Sequence, residues 1–356
     1  MVTWNTQALF ALDPFLHKEK SKKVHQFMAT HDIGCCTETH GTPDRDKLWK
    51  NPPGCQTWWA PGPSTGTAGV GIMVRDDFLA QFEMKAQFEI IFPGRAAVLH
   101  LVGKAGSLDI YSVYFQTGGS TPPADICAAG FDPHGRSIST FELRESLRRR
   151  LALKIRSKDQ SLTLMGGDFN YATDAHDRMC TSSASYTEAR DSRDATNWRT
   201  HLEARFGLHE LFQPEPTNAA PGSRSRIDRI YSSQYHTEYC DKAFSCTALN
   251  WCPLLSRHRP LSLRKCIPEH NDQRTRPIPE HILDNPDWAR QAASSWQELL
   301  TAYPDASAIT KLKLIKKAMR EAAKSIGCKT EALPPPETLE DRIGVSMQFL
   351  RAAEAA

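Results

Sequence analysis

The residues best suited to chemistry lie where apolar stretches give way to polar side chains. In "TLMGGDFNYA" (163–172), an apolar run passes through two glycines into Asp168 and Asn170. Because these two side chains are two positions apart, extended backbone points them the same way. A carboxylate and an amide that face one point can hold and polarise a water molecule. An Asx turn is the alternative, since Asp-x-Asn sequences often form one.

Two further stretches offer oxygen ligands for a metal ion. Glu38 follows the apolar run in "CCTETHG" (35–41), and Asn5 ends the first run in "TWNTQAL" (3–9). One carboxylate at a strand end suits Mg²⁺, which takes one or two carboxylates from a protein and keeps several waters. A solvated glutamate and a turn-forming asparagine are the alternatives when each stretch is taken alone.

An acid–base pair is indicated further along the chain. Asp228 stands between two isoleucines in "SRSRIDRIYSS" (223–233), a strand of apolar character. A lone buried charge is unfavourable, so this carboxylate needs a partner. His258, in "PLLSRHRPLSL" (253–263), is the natural one, because an aspartate fixes the tautomer of an imidazole and stabilises its charged form.

The cysteines suggest a different chemistry at the same histidine. Cys240, Cys246, Cys252 and His258 recur every six residues. Structural zinc sites usually place the two ligands of a pair about two to four residues apart. We therefore expect free thiols rather than a zinc site, and the scattered cysteines without a C-x-x-C pair indicate a reducing compartment.

The elements that must position these residues alternate short apolar runs with Gly, Pro and Asn turns. This pattern predicts two helices, at 137–158 and 194–207, and strands at 2–5, 32–36, 69–75, 88–92, 96–103, 108–115, 162–167, 226–233 and 259–263. Many strands interrupted by a few helices indicate an α/β sandwich of two sheets with helices outside them. The sequence shows neither an apolar run of the roughly 18 residues that a bilayer span needs nor the layout of a signal peptide, so we expect no membrane partner and no secretion.

The composition changes near residue 265. The stretch "CIPEHNDQRTRPIPEHILDNPDW" (266–288) is rich in proline and indicates a linker, and two helical patterns follow it, the first starting at Trp288. We predict one domain over residues 1–264, followed over 265–356 by a Pro-rich linker and a helical extension. Lysines cover the polar face of the second helical pattern, which is typical of a solvated face and also fits a nucleic-acid or partner contact.

In chain order, the motifs TWNTQ, TETHG, VYF, GGDFN, SRIDRI and SRHRP resemble those of a known superfamily. They are similar to the endonuclease/exonuclease/phosphatase (deoxyribonuclease I-like) superfamily, and most of all to the endonuclease domain of non-LTR retrotransposons. The resemblance covers about residues 1–264. It implies an α/β (α+β) fold, a four-layered α/β/β/α sandwich of two packed, mostly antiparallel sheets.

The resemblance also implies roles at a metal and at a water molecule. Glu38 would be the main ligand of Mg²⁺, or of Mn²⁺, with Asn5 beside it. Asp168 would orient or deprotonate the attacking water, and Asn170 would help to hold that water. Many members carry an acidic residue two positions after the first asparagine, where this chain has Gln7, so one metal contact is missing.

At the scissile phosphate, the resemblance implies that His258, paired with Asp228, donates a hydrogen bond and that Tyr114 lies nearby. The family commonly has Pro two residues after this tyrosine, and here that residue is Gln116. It usually has Ser-Asp-His in the last motif, whereas this chain has Arg257 before the histidine. Two interpretations stay open: Arg257 contacts a substrate phosphate, or it repels the metal ion and weakens the site.

Basic side chains surround these motifs. The helix pattern at 137–158 carries seven Lys or Arg residues, and we predict that substrate phosphates are bound by Arg224, Arg226, Arg257 and Arg259. Ordinary surface charge is the alternative.

The leading hypothesis is a Mg²⁺-dependent phosphodiesterase that nicks DNA, with a metal ion and one positioned water doing the chemistry. In a retrotransposon the partner would be a downstream reverse transcriptase domain, and DNA as substrate would place the protein inside the cell, in the nucleus. A phosphatase or lipid phosphodiesterase of the same superfamily is one alternative. A catalytically inactive nucleic-acid-binding relic is the other, since Gln7 and Arg257 depart from the pattern.

Overall fold

The computed structural model describes residues 1–62, 68–104, 106–117, 139–186, 191–233, 244–265, 278, 280–283, 285–302 and 308–325. The chain divides into two compact units, Met1–Ile267 and Pro268–Ala356. The first unit contains all of the described β-strands, and the second contains helices.

The strands of the first unit are β1 (Val2–Asn5), β2 (Ile33–Thr37), β3 (Cys55–Ala60), β4 (Val70–Arg75), β5 (Gln87–Phe92), β6 (Ala96–Gly103), β7 (Gly106–Tyr114), β8 (Leu162–Asp168), β9 (Arg178–Cys180), β10 (Ser185–Tyr186), β11 (Leu208–Glu210), β12 (Asn218–Ala220), β13 (Ser223–Ser225), β14 (Asp228–Ser233), β15 (Phe244–Ala248) and β16 (Leu261–Lys265). Its helices are α1 (Pro14–Met28), α2 (Pro43–Asp46), α3 (Asp76–Leu79), α4 (Thr140–Lys154), a 3₁₀ turn (Ala175–Asp177), α5 (Ser192–Trp198), a π-helical turn (Arg199–Glu203) and α6 (Ala204–Phe206).

Two six-stranded sheets form the centre of this unit. Their strand orders are β15-β16-β1-β2-β4-β3 and β11-β14-β8-β7-β6-β5, and a small third sheet has the order β10-β9-β13-β12. Only β1–β2 and β7–β8 pair in parallel, and the other described pairs are antiparallel. Antiparallel strands that expose one face to a neighbouring layer alternate inward and outward side chains, which suits two sheets packed face to face.

Apolar layers hold the sheets and helices together. Between the two large sheets, Ile72 of the first packs with Leu99 and Ile110 of the second. On the outer faces, Phe27 of α1 lies edge-on to Trp4 with ring centroids 5.6 Å apart, and Leu147 of α4 joins the core of the second sheet. The order helix, sheet, sheet, helix confirms the predicted four-layered α/β/β/α sandwich.

The parallel pairs decide where the site forms. Asn5 pairs with Thr37 at the ends of β1 and β2, and Tyr114 pairs with Asp168 at the ends of β7 and β8. Parallel neighbours end at the same edge of a sheet. Asp228, which begins the antiparallel β14, lies directly opposite Asp168, so strand ends from both sheets deliver polar side chains to one rim.

The helices follow local rules that the sequence displays. Ser139 caps α4, and Glu142 returns a hydrogen bond to complete a capping box. The single helix predicted over 194–207 is instead α5, a π-helical turn and α6, and it ends at Gly207 with φ +63°. Left-handed backbone of this kind favours glycine after a helix.

The second unit is helical where it is described. It comprises α7 (Glu280–Leu283), α8 (Pro286–Ala302) and α9 (Ala308–Ser325), so α7 lies inside the stretch predicted as linker. Trp288 and Ala292 of α8 pack with Ala322 of α9, and the indole of Trp288 donates to the Met319 carbonyl at 3.2 Å. None of the helices in the described part of the chain combines the length and apolar character that a bilayer crossing requires.

Candidate active site

The end of β8 carries a fully buried carboxylate with fixed partners. Asp168 accepts hydrogen bonds from the side-chain amides of Asn5 (2.8 Å) and Asn170 (3.0 Å) on Oδ2, and from the backbone N–H of Asn170 (2.9 Å) on Oδ1. The last bond is the Asx turn that the sequence left as an alternative. The turn and the site therefore coexist, since the same turn aims the Asn170 amide at the carboxylate.

Asn170 is itself held from outside the site. Its backbone is left-handed, with φ +52°, a conformation that asparagine tolerates better than most residues. Its amide also donates to the Phe115 carbonyl at 2.8 Å, and Arg144 of α4 donates to its carbonyl oxygen at 2.8 Å. The loop after β8 is thereby tied both to the end of β7 and to an outer helix.

Asp228 and His258 form the expected pair. The imidazole Nδ1 lies 2.8 Å from Asp228 Oδ2 and 3.9 Å from Asp168 Oδ2, and all three residues are buried. On the other side of the ring, the side-chain amide of Asn218 reaches Nε2 at 2.7 Å. Asn218 was not predicted, because it lies on the three-residue strand β12, whose sequence "NAA" carries no strand pattern.

The loop before β12 also supports the pair. Thr217 Oγ1 accepts hydrogen bonds from the backbone N–H groups of Ile227 (3.1 Å) and Asp228 (3.0 Å). Asn218 and His258 form an isolated antiparallel bridge. The small sheet thus brings the imidazole to the carboxylate by backbone pairing as well as by side-chain contact.

Glu38 and Tyr114 meet on the other side of the rim. The phenol of Tyr114 donates to Glu38 Oε1. Burial, and then the Glu38 carboxylate, raise the pKa of Tyr114 well above its usual value, so the phenol keeps its proton and stays a donor. Glu38 is half-buried and adopts φ +49°, which turns the chain away from β2 and toward this contact.

Charge is concentrated where these groups meet. Burial, followed by the Asp228 carboxylate, raises the pKa of Asp168 to about 8. Burial, the largest single influence, lowers the pKa of His258, but the charge and hydrogen bond of Asp228 together with the Asp168 and Glu38 carboxylates outweigh it and raise that pKa to about 9. Glu38 acts in the same direction on both groups. A buried excess of negative charge is an environment that a divalent cation stabilises.

The donor set fits a hard divalent ion. Asp168, Asp228 and His258 each offer a ligand atom, and these atoms lie within 4.8 Å of one another. Because Nδ1 of His258 already contacts Asp228 at 2.8 Å, this cluster is first of all a hydrogen-bonded pair beside a carboxylate. Tyr114 contacts only Oε1 of Glu38, so the other carboxylate oxygen can serve as a metal ligand. Carboxylate and amide oxygens are the ligands that Mg²⁺ prefers.

The two departures at the rim, Gln7 and Arg257, contact each other. Gln7 Oε1 accepts from the backbone N–H of Arg257 at 2.8 Å. Ser256 Oγ donates to the Asn5 carbonyl at 2.7 Å and accepts from the His258 N–H at 3.0 Å. The last motif is therefore docked onto the loop after β1 by side-chain hydrogen bonds.

The arginines of the last two motifs divide into two groups. Arg226 is buried against Asp177 (2.6 Å) and also pairs with Glu210. Arg259 pairs with Glu215 and donates to the Leu249 carbonyl at 2.6 Å. Arg224 and Arg257, in contrast, are exposed, and within the described residues their guanidinium groups have no ion pair.

The basic helix α4 directs much of its charge inward. Arg144 and Arg148 both contact the Asp194 carboxylate, at 2.7 and 2.6 Å, and Arg156, just beyond the helix, pairs with the fully buried Asp109. These three arginines hold layers of the fold together. Of the cysteines considered for a zinc site, Cys246 and Cys252 are free thiols, and Cys240 lies outside the described residues.

In sum, the structure brings together seven of the predicted residues: Asn5, Glu38, Tyr114, Asp168, Asn170, Asp228 and His258. A two-sheet α/β sandwich with this rim defines the class of deoxyribonuclease I-like folds. The chain belongs to the Endonuclease/Exonuclease/phosphatase family, whose model matches residues 2–249. The match stops before Arg257 and His258, so the last motif rests on the structure.

Solved structures share this fold at low sequence identity. The AP endonuclease LMAP from Leishmania major is 15% identical, with a TM-score of 0.54, over 74% of this chain and 87% of that chain. The APE2 catalytic domain from Xenopus laevis is 15% identical, with a TM-score of 0.50, over 74% and 92%. The endonuclease domain of TRAS1, a telomere-specific non-LTR retrotransposon, is 14% identical, with a TM-score of 0.44, over 75% and 98%. No curated protein sequence matches the chain.

Proposed function

We propose that the protein is a Mg²⁺-dependent phosphodiesterase that nicks DNA as an endonuclease of the retrotransposon type. The observation that carries this proposal is the buried Asp228–His258 pair, 3.9 Å from an Asp168 carboxylate that two asparagine amides orient. Membership of a family of phosphoester hydrolases supports the reaction class. The retrotransposon context, with a reverse transcriptase downstream and a nuclear location, rests on the order of the motifs.

Glu38, Asn5 and Asp168 each have a role in the proposed hydrolysis that follows from their surroundings. Glu38 and Asn5 would hold Mg²⁺, which supplies polarisation of the phosphate when it is bound. Asp168 accepts a proton from the attacking water, in an orientation set by Asn5 and Asn170. Burial and Asp228 raise the pKa of Asp168 to about 8, so this carboxyl is largely protonated at neutral pH without a metal ion, and a bound cation would lower its pKa and free it to accept the proton.

The imidazole works on the opposite side of the phosphate. With its pKa raised to about 9, His258 is protonated at neutral pH and donates from Nε2, while Asp228 fixes Nδ1. The Asn218 amide nitrogen lies 2.7 Å from Nε2, and because an amide N–H donates and does not accept, this amide must rotate or withdraw before Nε2–H can donate to a phosphate oxygen. The neutral phenol of Tyr114 donates a hydrogen bond to Glu38 and so keeps this carboxylate turned toward the rim.

The test is nicking of supercoiled plasmid by the full chain with Mg²⁺, compared with Mg²⁺ removed by a chelator. We expect Asp168→Asn and His258→Gln to lower the rate by about 10²–10⁴-fold, the usual contribution of a general acid or base. Asp159→Asn is the matched control, since Asp159 is exposed. Plasmid that stays intact with the wild type, or variants that nick like Asp159→Asn, would contradict the proposal.

A second candidate function, nucleic-acid binding without cleavage, is favoured by one observation. Gln7 and Arg257 stand where acidic residues are expected, and the backbone N–H of Arg257 donates to Gln7 Oε1 at 2.8 Å. In this case the protein binds nucleic acid without cleaving it. The same assay separates the two, because the relic binds plasmid in a gel-shift experiment and leaves it supercoiled at every Mg²⁺ concentration. An Arg257→Asp variant that gains nicking would show that the arginine had impaired the site.

A further inference from the structure

Five arginines stand in the last two motifs, and the structure separates them by their partners. Asp177 and Glu210 neutralise Arg226 and Arg229, and Glu215 neutralises Arg259. Arg224 and Arg257 are exposed and, within the described residues, meet no carboxylate. Among the described residues, these are the two arginines of the set whose charge is not neutralised.

The backbone places these two arginines on either side of one small residue. Arg224 of β13 lies opposite Ala219 of β12, and the N–H of Ala219 donates to the Arg257 carbonyl at 3.1 Å. The next pair along is the bridge between Asn218 and His258. With strands about 4.8 Å apart, the Cα atoms of the two arginines are separated by about 10 Å. The residue that they flank, Ala219, is next in the chain to Asn218, which contacts the imidazole.

Arg257 has a fixed backbone and an exposed side chain that meets no carboxylate in the part of the chain that the structure describes. Ala219 holds its carbonyl oxygen at 3.1 Å, and Gln7 holds its N–H at 2.8 Å. Gln7 is itself fixed, because Lys20 donates to its carbonyl oxygen. An exposed side chain on a fixed backbone loses less conformational freedom on binding than one on a mobile loop. Gln7 thus acts on Arg257 through the main chain.

We propose that Arg224 and Arg257 form a two-point phosphate contact that binds the backbone of a polynucleotide beside His258, with Gln7 as the positioning residue for Arg257. The proposal rests on the function proposed above, and it names the residues that would bind the nucleic-acid backbone. Guanidinium groups match phosphate oxygens in a two-pronged contact. Two of them, carried by Cα atoms about 10 Å apart by strand spacing, can engage separate phosphates, so a chain of phosphodiesters is bound in preference to a single phosphate ester.

The experiment measures binding alone. The full chain carrying Asp168→Asn is titrated against a fluorescently labelled DNA duplex at several salt concentrations. Each lost phosphate contact reduces the slope of log affinity against log salt by about 0.9. We expect this reduction for Arg224→Ala and for Arg257→Ala. Arg149→Ala, which removes an arginine with a 78% exposed side chain from α4, should leave the slope unchanged.

Gln7 is tested by a double-mutant cycle on the same measurement. If Gln7 acts through Arg257, the losses of affinity in Gln7→Ala and Arg257→Ala are not additive, whereas those of Gln7→Ala and Arg224→Ala add. A purely structural role of Gln7 would make both combinations additive. This pattern depends on no assumption about cleavage.

Three outcomes would overturn the inference. In the first, the slopes of Arg224→Ala and Arg257→Ala equal that of Arg149→Ala. In the second, the duplex does not bind at all. In the third, a parallel titration against vesicles that contain anionic phospholipid shows that the two variants lose binding only to the vesicles and not to the duplex. The first and third outcomes can occur while the wild type still nicks plasmid, and slopes that fall as expected can occur in a protein that never nicks. Failure of the contact and failure of the proposed reaction are therefore distinguishable.

Discussion

Arg144 provides the sharpest test of how the site is held. Its side chain is only 8% exposed. Its guanidinium donates to the Gln116 carbonyl (2.9 Å), the Asn170 carbonyl (2.8 Å) and Asp194 (2.7 Å). One buried group thus joins the segments after β7 and β8 to the outer helices. Arg144→Met keeps much of the side-chain volume and removes all three donors.

The expected loss of stability follows from these contacts. A hydrogen bond to a charged group contributes about 1.5–3 kcal/mol, and removing one partner of a buried ion pair costs about 3–5 kcal/mol. Asp194 still has Arg148 at 2.6 Å, so its carboxylate is not left alone. Two backbone carbonyls lose their charged donor. We therefore expect the free energy of unfolding to fall by about 3–5 kcal/mol.

Urea unfolding followed by circular dichroism measures this change. Arg149→Met is the control: Arg149 lies on the same helix with a 78% exposed side chain, and surface changes usually stay within about 0.5 kcal/mol. Arg144→Lys keeps the charge with fewer donors and should fall between the two. A loss of less than about 1 kcal/mol in Arg144→Met, at an unchanged denaturant slope, would refute the view that this guanidinium fastens the loop.

Three further predictions can be checked with the same methods. Gly167→Ala should unfold the protein far more readily than Gly222→Ala, because a Cβ at Gly167 would lie 1.8 Å from the Val113 carbonyl oxygen, whereas nothing lies within 4 Å at Gly222; comparable melting temperatures would contradict this. Protonated His258, with its pKa raised from 6.5 to about 9, stabilises the fold fully below pH 6.5 and loses that contribution as the pH rises through about 9. Urea unfolding should therefore show that the stability advantage of the wild type over Asp228→Asn shrinks across this range, and a constant difference would count against the pair. Residues 1–267, expressed alone, should unfold in one cooperative transition, and a fragment without near-ultraviolet circular dichroism would show that the unit needs the rest of the chain.

The predicted parts of the fold are those with strong local patterns. Strands such as β4, β6 and β8 are apolar runs bounded by turns, and the structure has each of them. The small sheet was not predicted, because its strands are only two or three residues long and are largely exposed or half-buried. Helix α1 was missed too, since its sequence is rich in charge and only four of its residues are buried.

The site was predictable to the extent that its residues follow strands. Asn5, Glu38 and Asp168 stand at or just after strand ends, so their types and positions indicated a shared rim. The partners of the arginines could not be foreseen. Asp177 lies 49 positions from Arg226, and Asp194 lies 50 from Arg144, and such pairs depend on the tertiary fold. The contact between Gln7 and Arg257 spans 250 positions and is invisible for the same reason.

The position of β16 has a consequence for biosynthesis. This strand comes last in its unit yet lies inside the first sheet, where Ser262 pairs with Val2 of β1. Until β16 has left the ribosome, β1 lacks this partner along one edge, and the histidine just before β16 cannot yet reach the carboxylates. The pocket therefore assembles only after nearly the whole unit has been synthesised, and a chain released early carries the carboxylates without the imidazole.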